Sequence, residues 1–94
     1  MALGVLTLQI NIPGCKSLKD KRSRLKPLLT RLHREFNISV AEIDHHDAWQ
    51  SAVIACALIS NSAGHTQRAL QKIIDWIDNY WPDVTIIDDH IEII

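Results

Sequence analysis

The chain has 94 residues, of which 47% are hydrophobic and 22% charged, with three glycines and three prolines. This length and composition are typical of one globular domain, so we expect a single domain over residues 1–94. Two cysteines without CxxC spacing are too few for a secreted disulfide scaffold, which favours a reducing interior. Polar residues interrupt the N-terminal apolar run, which argues against a signal peptide or a membrane span. We therefore expect a cytoplasmic protein with no membrane partner.

The net charge of −1 conceals an uneven distribution of charge. Residues 16–34 hold eight of the ten Lys and Arg side chains and one acid, whereas residues 35–94 hold ten acids and two cations. A basic segment attracts polyanions through its local field, whatever the net charge of the whole molecule. The pattern argues against non-specific coating of DNA but permits RNA binding by one element.

The N-terminal third of the chain predicts a strand followed by a helix. Apolar residues alternate between residues 3 and 12, which indicates a strand with one buried face. Ser17 and Asp20 have the spacing of a capping box, after which a leucine stripe continues to Phe36. Pro27 falls inside this helix and predicts a kink, because it removes one backbone donor.

The remaining two thirds predict strand, strand, helix and strand. Residues 38–43 alternate as an edge strand does after Asn37 closes the helix. The nearly continuous apolar run at 49–60 indicates a central strand, with a buried helix as the rival interpretation. Apolar spacings of three and four predict a helix over 63–80. The isoleucine-rich segment 84–94 supplies the last strand, with an irregularity at Asp88-Asp89 where the alternation changes phase.

The element order βαββαβ predicts an α+β, ferredoxin-like sandwich. Two right-handed split crossovers give a four-stranded antiparallel sheet, spatial order 4-1-3-2, with both helices on one face. This topology places the start of the first helix, the turn at 44–47 and the Trp81 region at one end of the sheet. The other sheet face has no helix to cover it and mixes apolar with polar residues, so we expect a homodimer.

The first candidate site is the basic first helix. Cations in a first turn oppose the positive end of the helix dipole, and a local cost of this kind favours a functional explanation. Phosphate groups bound at this helix N-terminus would offset the unfavourable interaction between the cations and the dipole. The alternatives are a solvated helix face or a protein partner with an acidic surface. The residues predicted to contact nucleic-acid phosphates are Lys16, Lys19, Lys21, Arg22, Lys26, Arg31 and Arg34.

The second candidate site is the turn between the second and third strands. Its histidines and carboxylates suit a divalent ion or an acid–base pair. Consecutive side chains in a turn diverge and rarely ligate one ion, so we expect a hydrogen-bonded turn and no metal. The residues of this possible ligand or turn site are Ser17, Asp44, His45, His46, Asp47 and Trp49.

No enzymatic signature accompanies these residues: the sequence has no nucleophile elbow, P-loop or GxGxxG motif. We therefore expect no catalytic residues and no cofactor. Cys15, beside Lys16 near a helix N-terminus, is a candidate reactive thiol, whereas Cys56 is expected to be inert packing. The tryptophans are interpreted as core or rim residues, although Trp81 with Tyr80 is also placed to stack a base.

Several segments in combination resemble one bacterial family. They are Gly4-Val5-Leu6, Pro13-Gly14 followed by Ser17–Arg22, Phe36–His45, Asp47–Gln50 and the closing Ile91-Glu92-Ile93. Over essentially the whole chain they resemble the YlxP-like family of unknown function. The resemblance implies a small ferredoxin-like domain. Members are often encoded beside ribosome-maturation factors such as ribosome-binding factor A, which implies a ribosomal role.

The resemblance carries over no catalytic residues. The chain departs from the family pattern at Pro27 and at His46, where we would expect glutamine. We predict a non-enzymatic accessory module that engages ribosomal RNA or a ribosome precursor. The alternative is a dimeric small-ligand or metal-responsive domain with its site near His45. The matching positions that the resemblance marks for a role are Ser17, Lys19, Lys21, Arg22, Asp44, His45 and Trp49.

Overall fold

Six elements follow one another in the predicted order. The computed structural model describes residues 1–94. The rival interpretation of the apolar run as a buried helix is wrong, because it forms the third strand. The elements are β1 (Ala2–Asn11), α1 (Leu18–Glu35), β2 (Ser39–Asp44), β3 (Ser51–Ser60), α2 (Ala63–Tyr80) and β4 (Thr85–Ile93).

The strands form one antiparallel sheet in the order β2-β3-β1-β4. This confirms the predicted order 4-1-3-2, counted from the opposite edge. β1 pairs with β3 along its full length, from Ala2 opposite Ser60 to Asn11 opposite Ser51. β4 flanks β1 on its other side, which leaves β2 and β4 as the two edges. The predicted edge position of β2 is therefore confirmed.

The core lies between one face of this sheet and both helices. Leu6, Leu8 and Ile10 of β1 point inward and are fully buried, as are the β3 residues opposite them, which are Cys56, Ile54 and Ala52. The apolar stripes of α1 and α2 join them in a single cluster, since both helices cover the same face. Neither helix is long and apolar enough to cross a membrane. The central members are Leu6, Leu8, Ile10, Ile54, Cys56, Leu25, Leu28, Leu32, Leu70, Ile73 and Ile77.

α2 packs closely against β1 at Gly4. A Cβ added there would overlap Thr66 Cγ2 and lie 2.8 Å from Leu70 Cδ1. Thr66 is fully buried, and its hydroxyl is hydrogen-bonded to Ser60 Oγ at 2.6 Å. The absence of a side chain at Gly4 therefore lets the first turn of α2 rest directly on the sheet.

The N-terminal cap of α1 is the predicted one, whereas its C-terminal cap lies one residue earlier than predicted. Ser17 Oγ accepts from the Asp20 amide at 3.0 Å, which confirms the predicted cap. The Asp20 carboxylate accepts from the Lys16 amide at 3.2 Å, one residue before the predicted donor. At the other end, Phe36 rather than Asn37 caps the helix.

α1 is one helix of 18 residues that runs through Pro27. Pro27 removes the donor that would otherwise reach the Ser23 carbonyl. Both residues are exposed, so water is available to that carbonyl. The solvent-facing position explains how the helix accommodates an interior proline.

A bulge bends β4 near its middle. Gln9 of β1 faces Asp88, whereas the next residue, Ile10, faces Ile86. Ile87 is therefore the extra residue, and its side chain is 57% exposed. The irregularity exists as predicted, but it lies just before the aspartate pair rather than on it.

Candidate nucleic-acid interface and the β2–β3 turn

Five of the seven cations predicted to contact phosphates form an exposed row on α1 and the residues just before it. None of the five has a carboxylate within ion-pair distance. From Lys19 to Arg34 the helix rises about 22 Å at 1.5 Å per residue, enough to follow several phosphates of a nucleic-acid backbone. We name this set the basic face: Lys16, Lys19, Arg22, Lys26 and Arg34.

Lys21 does not belong to the basic face. Its side chain is 2% exposed, and its Nζ lies 2.7 Å from Glu42 Oε2 in β2. The same ammonium donates to the His45 carbonyl at 2.7 Å. A phosphate cannot reach an ammonium held in this way, so we remove Lys21 from the predicted contacts. The spacing of Lys21 from Leu25 and Leu28 places it on the core side of α1. This spacing is visible in the sequence, but the predicted phosphate contact was based on the charge of the residue.

Arg31 lies at the border of the basic face and is partly committed to packing. Its Nε donates to Glu35 Oε1 at 3.0 Å, one turn further along α1. Its guanidinium also lies 5.8 Å from the centre of the Trp76 ring. Exposed i,i+4 ion pairs contribute little, so this contact orients the side chain without neutralising it in water.

Arg24, on the flank of α1 that faces β4, has a structural role. It donates to both carboxylate oxygens of Asp83, at 2.9 and 3.1 Å, and to the Pro13 carbonyl at 2.6 Å. The hydrogen bond to Asp83 raises the pKa of Arg24 above its usual value. This bidentate pair fixes α1 to the loop before β4, a contact that no local pattern signals across 59 positions.

A groove of about 460 Å³ runs beside the second half of α1. Three cations line it together with the hydroxyls of Ser23 and Thr30 and the indole of Trp81. Trp81 thus lies against the middle of α1, not at its start as the topology suggested. The groove extends the basic face towards α2, and its cations are Lys26, Arg31 and Arg34.

An aromatic cluster closes the far side of this groove. Trp76 stacks on Trp81 with ring centres 5.8 Å apart and meets the edge of Phe36 at 6.0 Å. These contacts pack both tryptophans against the core, in agreement with their interpretation as core or rim residues. Tyr80 is 70% exposed beside them, so its ring is accessible from solvent.

The β2–β3 turn is built around His45. This residue has a φ of 61°, in the left-handed region, and its amide donates to Asp44 Oδ1 at 2.7 Å. Its carbonyl accepts from the Ala48 amide at 3.0 Å as well as from Lys21. Its Nδ1 lies 2.8 Å from Ser51 Oγ. These hydrogen bonds give Asp44 and His45 a structural role in the turn. They also hold the strained backbone of His45 in place.

The other residues of the second candidate site are spread around this turn. Ser17 caps α1, while His46, Asp47 and Trp49 are exposed. A recess of about 260 Å³ lies between the turn and α1, with Arg22, His46 and Asp47 among its lining residues. The structure assembles no group of three or more His, Cys, Asp or Glu side chains able to hold a metal ion.

Both cysteines are buried and unpaired. Burial raises the pKa of the Cys56 thiol to about 12, so it remains protonated at neutral pH. Cys15 is 1% exposed, and its Sγ lies 3.5 Å from the Ser17 carbonyl. The burial of Cys15 argues against the reactive role considered for its thiol. The position of Cys15 beside Lys16 in the sequence does not reveal this burial.

Comparison with known proteins places the chain in a family. The family model described as "Protein of unknown function (DUF503)" matches residues 3–91. The chain belongs to the DUF503 family. The Bacillus subtilis (strain 168) protein described as "Uncharacterized protein YlxP" is 41% identical over 78 residues, 83% of this chain and 85% of the relative. The YlxP-like resemblance is thereby confirmed, and for this DUF503 protein the fold is an α+β sandwich.

Proposed function

We propose that this DUF503 protein is a non-enzymatic RNA-binding accessory factor that engages ribosomal RNA or a ribosome precursor through the basic face of α1. One observation carries the proposal: five exposed cations without ion-pair partners lie along α1 and the segment just before it, in a chain whose net charge is −1. Cations in such a row bind a phosphate backbone by releasing its condensed counterions. Binding of this kind needs no site of defined shape.

The open sheet face lacks the chemistry of an RNA platform. Sheets that bind RNA do so with exposed aromatic rings that stack bases. The residues directed to this face include no Phe, Tyr, Trp, Lys or Arg, and His90 from β4 lies there between the carboxylates of Asp88 and Glu92. RNA therefore has its complementary surface on the helical layer instead.

The aromatic cluster next to the groove adds a second element of recognition. Tyr80 offers an exposed ring next to Arg31, and base–aromatic stacking contributes about 1–3 kcal/mol per base. Stacking requires an unpaired base. We therefore expect single-stranded or looped RNA to bind more tightly than a duplex of the same length.

Titration of labelled ribosomal RNA fragments at several salt concentrations tests this proposal. If all five cations contact phosphates, log Kd changes with log salt with a slope near 3.5, at about 0.7 per phosphate for a single strand. Reversing two of these charges in the variant Arg22→Glu/Lys26→Glu weakens binding and flattens the slope by at least about 1.4. Fluorescence anisotropy measures both quantities.

The matched control is Arg68→Glu/Lys72→Glu, which makes the same change in net charge at exposed positions of α2. It should retain most of the affinity and the slope. Equal losses in the two variants would mean that only net charge matters. Wild-type binding no tighter than its binding to heparin would remove RNA as the specific partner.

A second candidate function is small-ligand binding in the recess beside His45. The left-handed backbone of His45 favours it, because such strain is found at functional sites. Thermal denaturation against a panel of metabolites tests it: a stabilising ligand should lose its effect in His46→Ala, which alters the lining and leaves the turn's hydrogen bonds intact. No shift across the panel would exclude this candidate.

A further inference from the structure

The structure leaves one face of the sheet without a covering layer, and we infer that a second copy of this chain covers it. The residues directed to this face from the two central strands are half-buried or exposed in the single chain, whereas their neighbours on the other face are buried. Most of them are small or apolar. The central patch consists of Leu3, Val5, Val53, Ala55, Ala57 and Ile59.

The area of this face is sufficient for a specific dimer. Four strands of 6–10 residues, spaced about 4.8 Å apart and rising about 3.3 Å per residue, present about 500–600 Å² per protomer. Two protomers together bury about 1,000–1,200 Å², which reaches the lower limit for specific interfaces. Interfaces of this size are typical of transient rather than obligate association.

The edges of the sheet offer a poorer route to association. β2 is six residues long, and its pairing with β3 shifts register beside Ile43. β4 bears Asp88, Asp89 and Glu92, so two β4 edges repel each other. Stacking of the two faces is therefore favoured over pairing of strand edges.

Charge and side-chain size on the face together favour one orientation of the two-fold axis. An axis in the sheet plane and perpendicular to the strands would place β4 over its own copy, with Asp88 and Glu92 of both protomers together. An axis parallel to the strands, between β1 and β3, places β4 over β2, so that Glu92 lies over Ser39 of the second copy and only Asp88 meets an acid, Asp44. It also sets the larger side chains of β1 against Ala55 and Ala57 of the second copy, which favours interdigitation.

Sedimentation velocity over about 1–500 μM protein tests the inference, with Ala55→Arg as the variant. Ala55 lies opposite Thr7 and Ala41 at the centre of the face. The wild type should change from monomer to dimer across this range, and the variant should stay monomeric with an unchanged circular dichroism spectrum. The matched control, Ala63→Arg at the exposed start of α2, should dimerise like the wild type.

Two results would overturn the inference: a wild type that remains monomeric at the highest concentration, or an Ala55→Arg variant that still dimerises. The axis is tested by Glu92→Gln. With β4 over β2 this change leaves the dissociation constant within about twofold of the wild type. A dimer tightened tenfold or more would put the two β4 strands together and contradict the arrangement.

Discussion

The buried ammonium of Lys21 joins three parts of the molecule: α1, the edge strand β2 and the turn that follows it. Its partners are Glu42 Oε2 and the His45 carbonyl, each at 2.7 Å. A buried charge of this kind is costly to leave without its partner, although the pair itself adds little net stability. The strained backbone of His45 depends on the same contact.

Replacing Lys21 with Met should therefore destabilise the protein by about 3 kcal/mol, since the carboxylate of Glu42 is left with little solvent and no partner. Removing both charges in Lys21→Met/Glu42→Leu should recover at least half of that loss. Urea unfolding followed by circular dichroism measures these free energies. The control Lys19→Met, at an exposed position, should stay within about 0.5 kcal/mol of the wild type. A Lys21→Met variant as stable as this control would contradict the assigned role.

The buried thiol of Cys56 makes the free energy of unfolding depend on pH in the alkaline range. Burial raises the pKa of its thiol from 9.0 to about 12, so the unfolded chain loses this proton at lower pH than the folded protein. The stabilisation from the buried thiol is fully present below pH 9.0 and is lost as the pH rises towards 12. By pH 10.5 the free energy of unfolding should fall by about 2 kcal/mol from this group, at about 1.4 kcal/mol per pKa unit.

Unfolding of wild type and Cys56→Ala at pH 8.5 and about pH 10.5 isolates this contribution, because the other titrating groups are common to both. The wild type should lose more stability than the variant between the two values. Parallel losses would show that the Cys56 thiol ionises as easily in the folded protein as in the unfolded chain.

At the scale of elements, the contact of α2 with β1 at Gly4 leaves no room for a side chain. Gly4→Ala should destabilise the protein by about 1–3 kcal/mol, because its Cβ overlaps Thr66 and the first turn of α2 must shift. Gly64→Ala is the matched control, since its Cβ meets only the mobile end of Arg68 and alanine favours the helix. Thermal melts of the two variants compare them. Equal melting temperatures would mean that α2 moves away at no cost.

Element types and order were predictable because hydrophobic periodicity reflects burial directly. The alternation in β1 and the three-and-four spacing in α2 each match a buried face, and the Ser17 cap was visible as a local motif. Contacts between distant elements were not predictable. Arg24 with Asp83 and Lys21 with Glu42 depend on how the elements pack, which no sequence window contains.

For the molecule as a whole, the sequence predicted a charge-polarised sandwich, and the structure divides its basic residues into two groups. Lys21 and Arg24 hold the fold together, whereas the five members of the basic face remain available to a partner. Proximity along the chain could not distinguish these groups, because their members alternate on one helix. Only the direction of each side chain around α1 separates structural from binding cations.

The proposed partner is tested most directly by sedimentation of cell lysate through sucrose gradients at low and moderate salt, with detection of this protein in each fraction. We expect the wild type to co-migrate with a ribosomal subunit or its precursor at low salt and to be released at moderate salt, because phosphate contacts are screened. Arg22→Glu/Lys26→Glu should stay at the top of both gradients, while Arg68→Glu/Lys72→Glu should follow the wild type. A wild-type protein found only at the top of the gradient at both salt concentrations would contradict the proposed association with ribosomal RNA or a ribosome precursor.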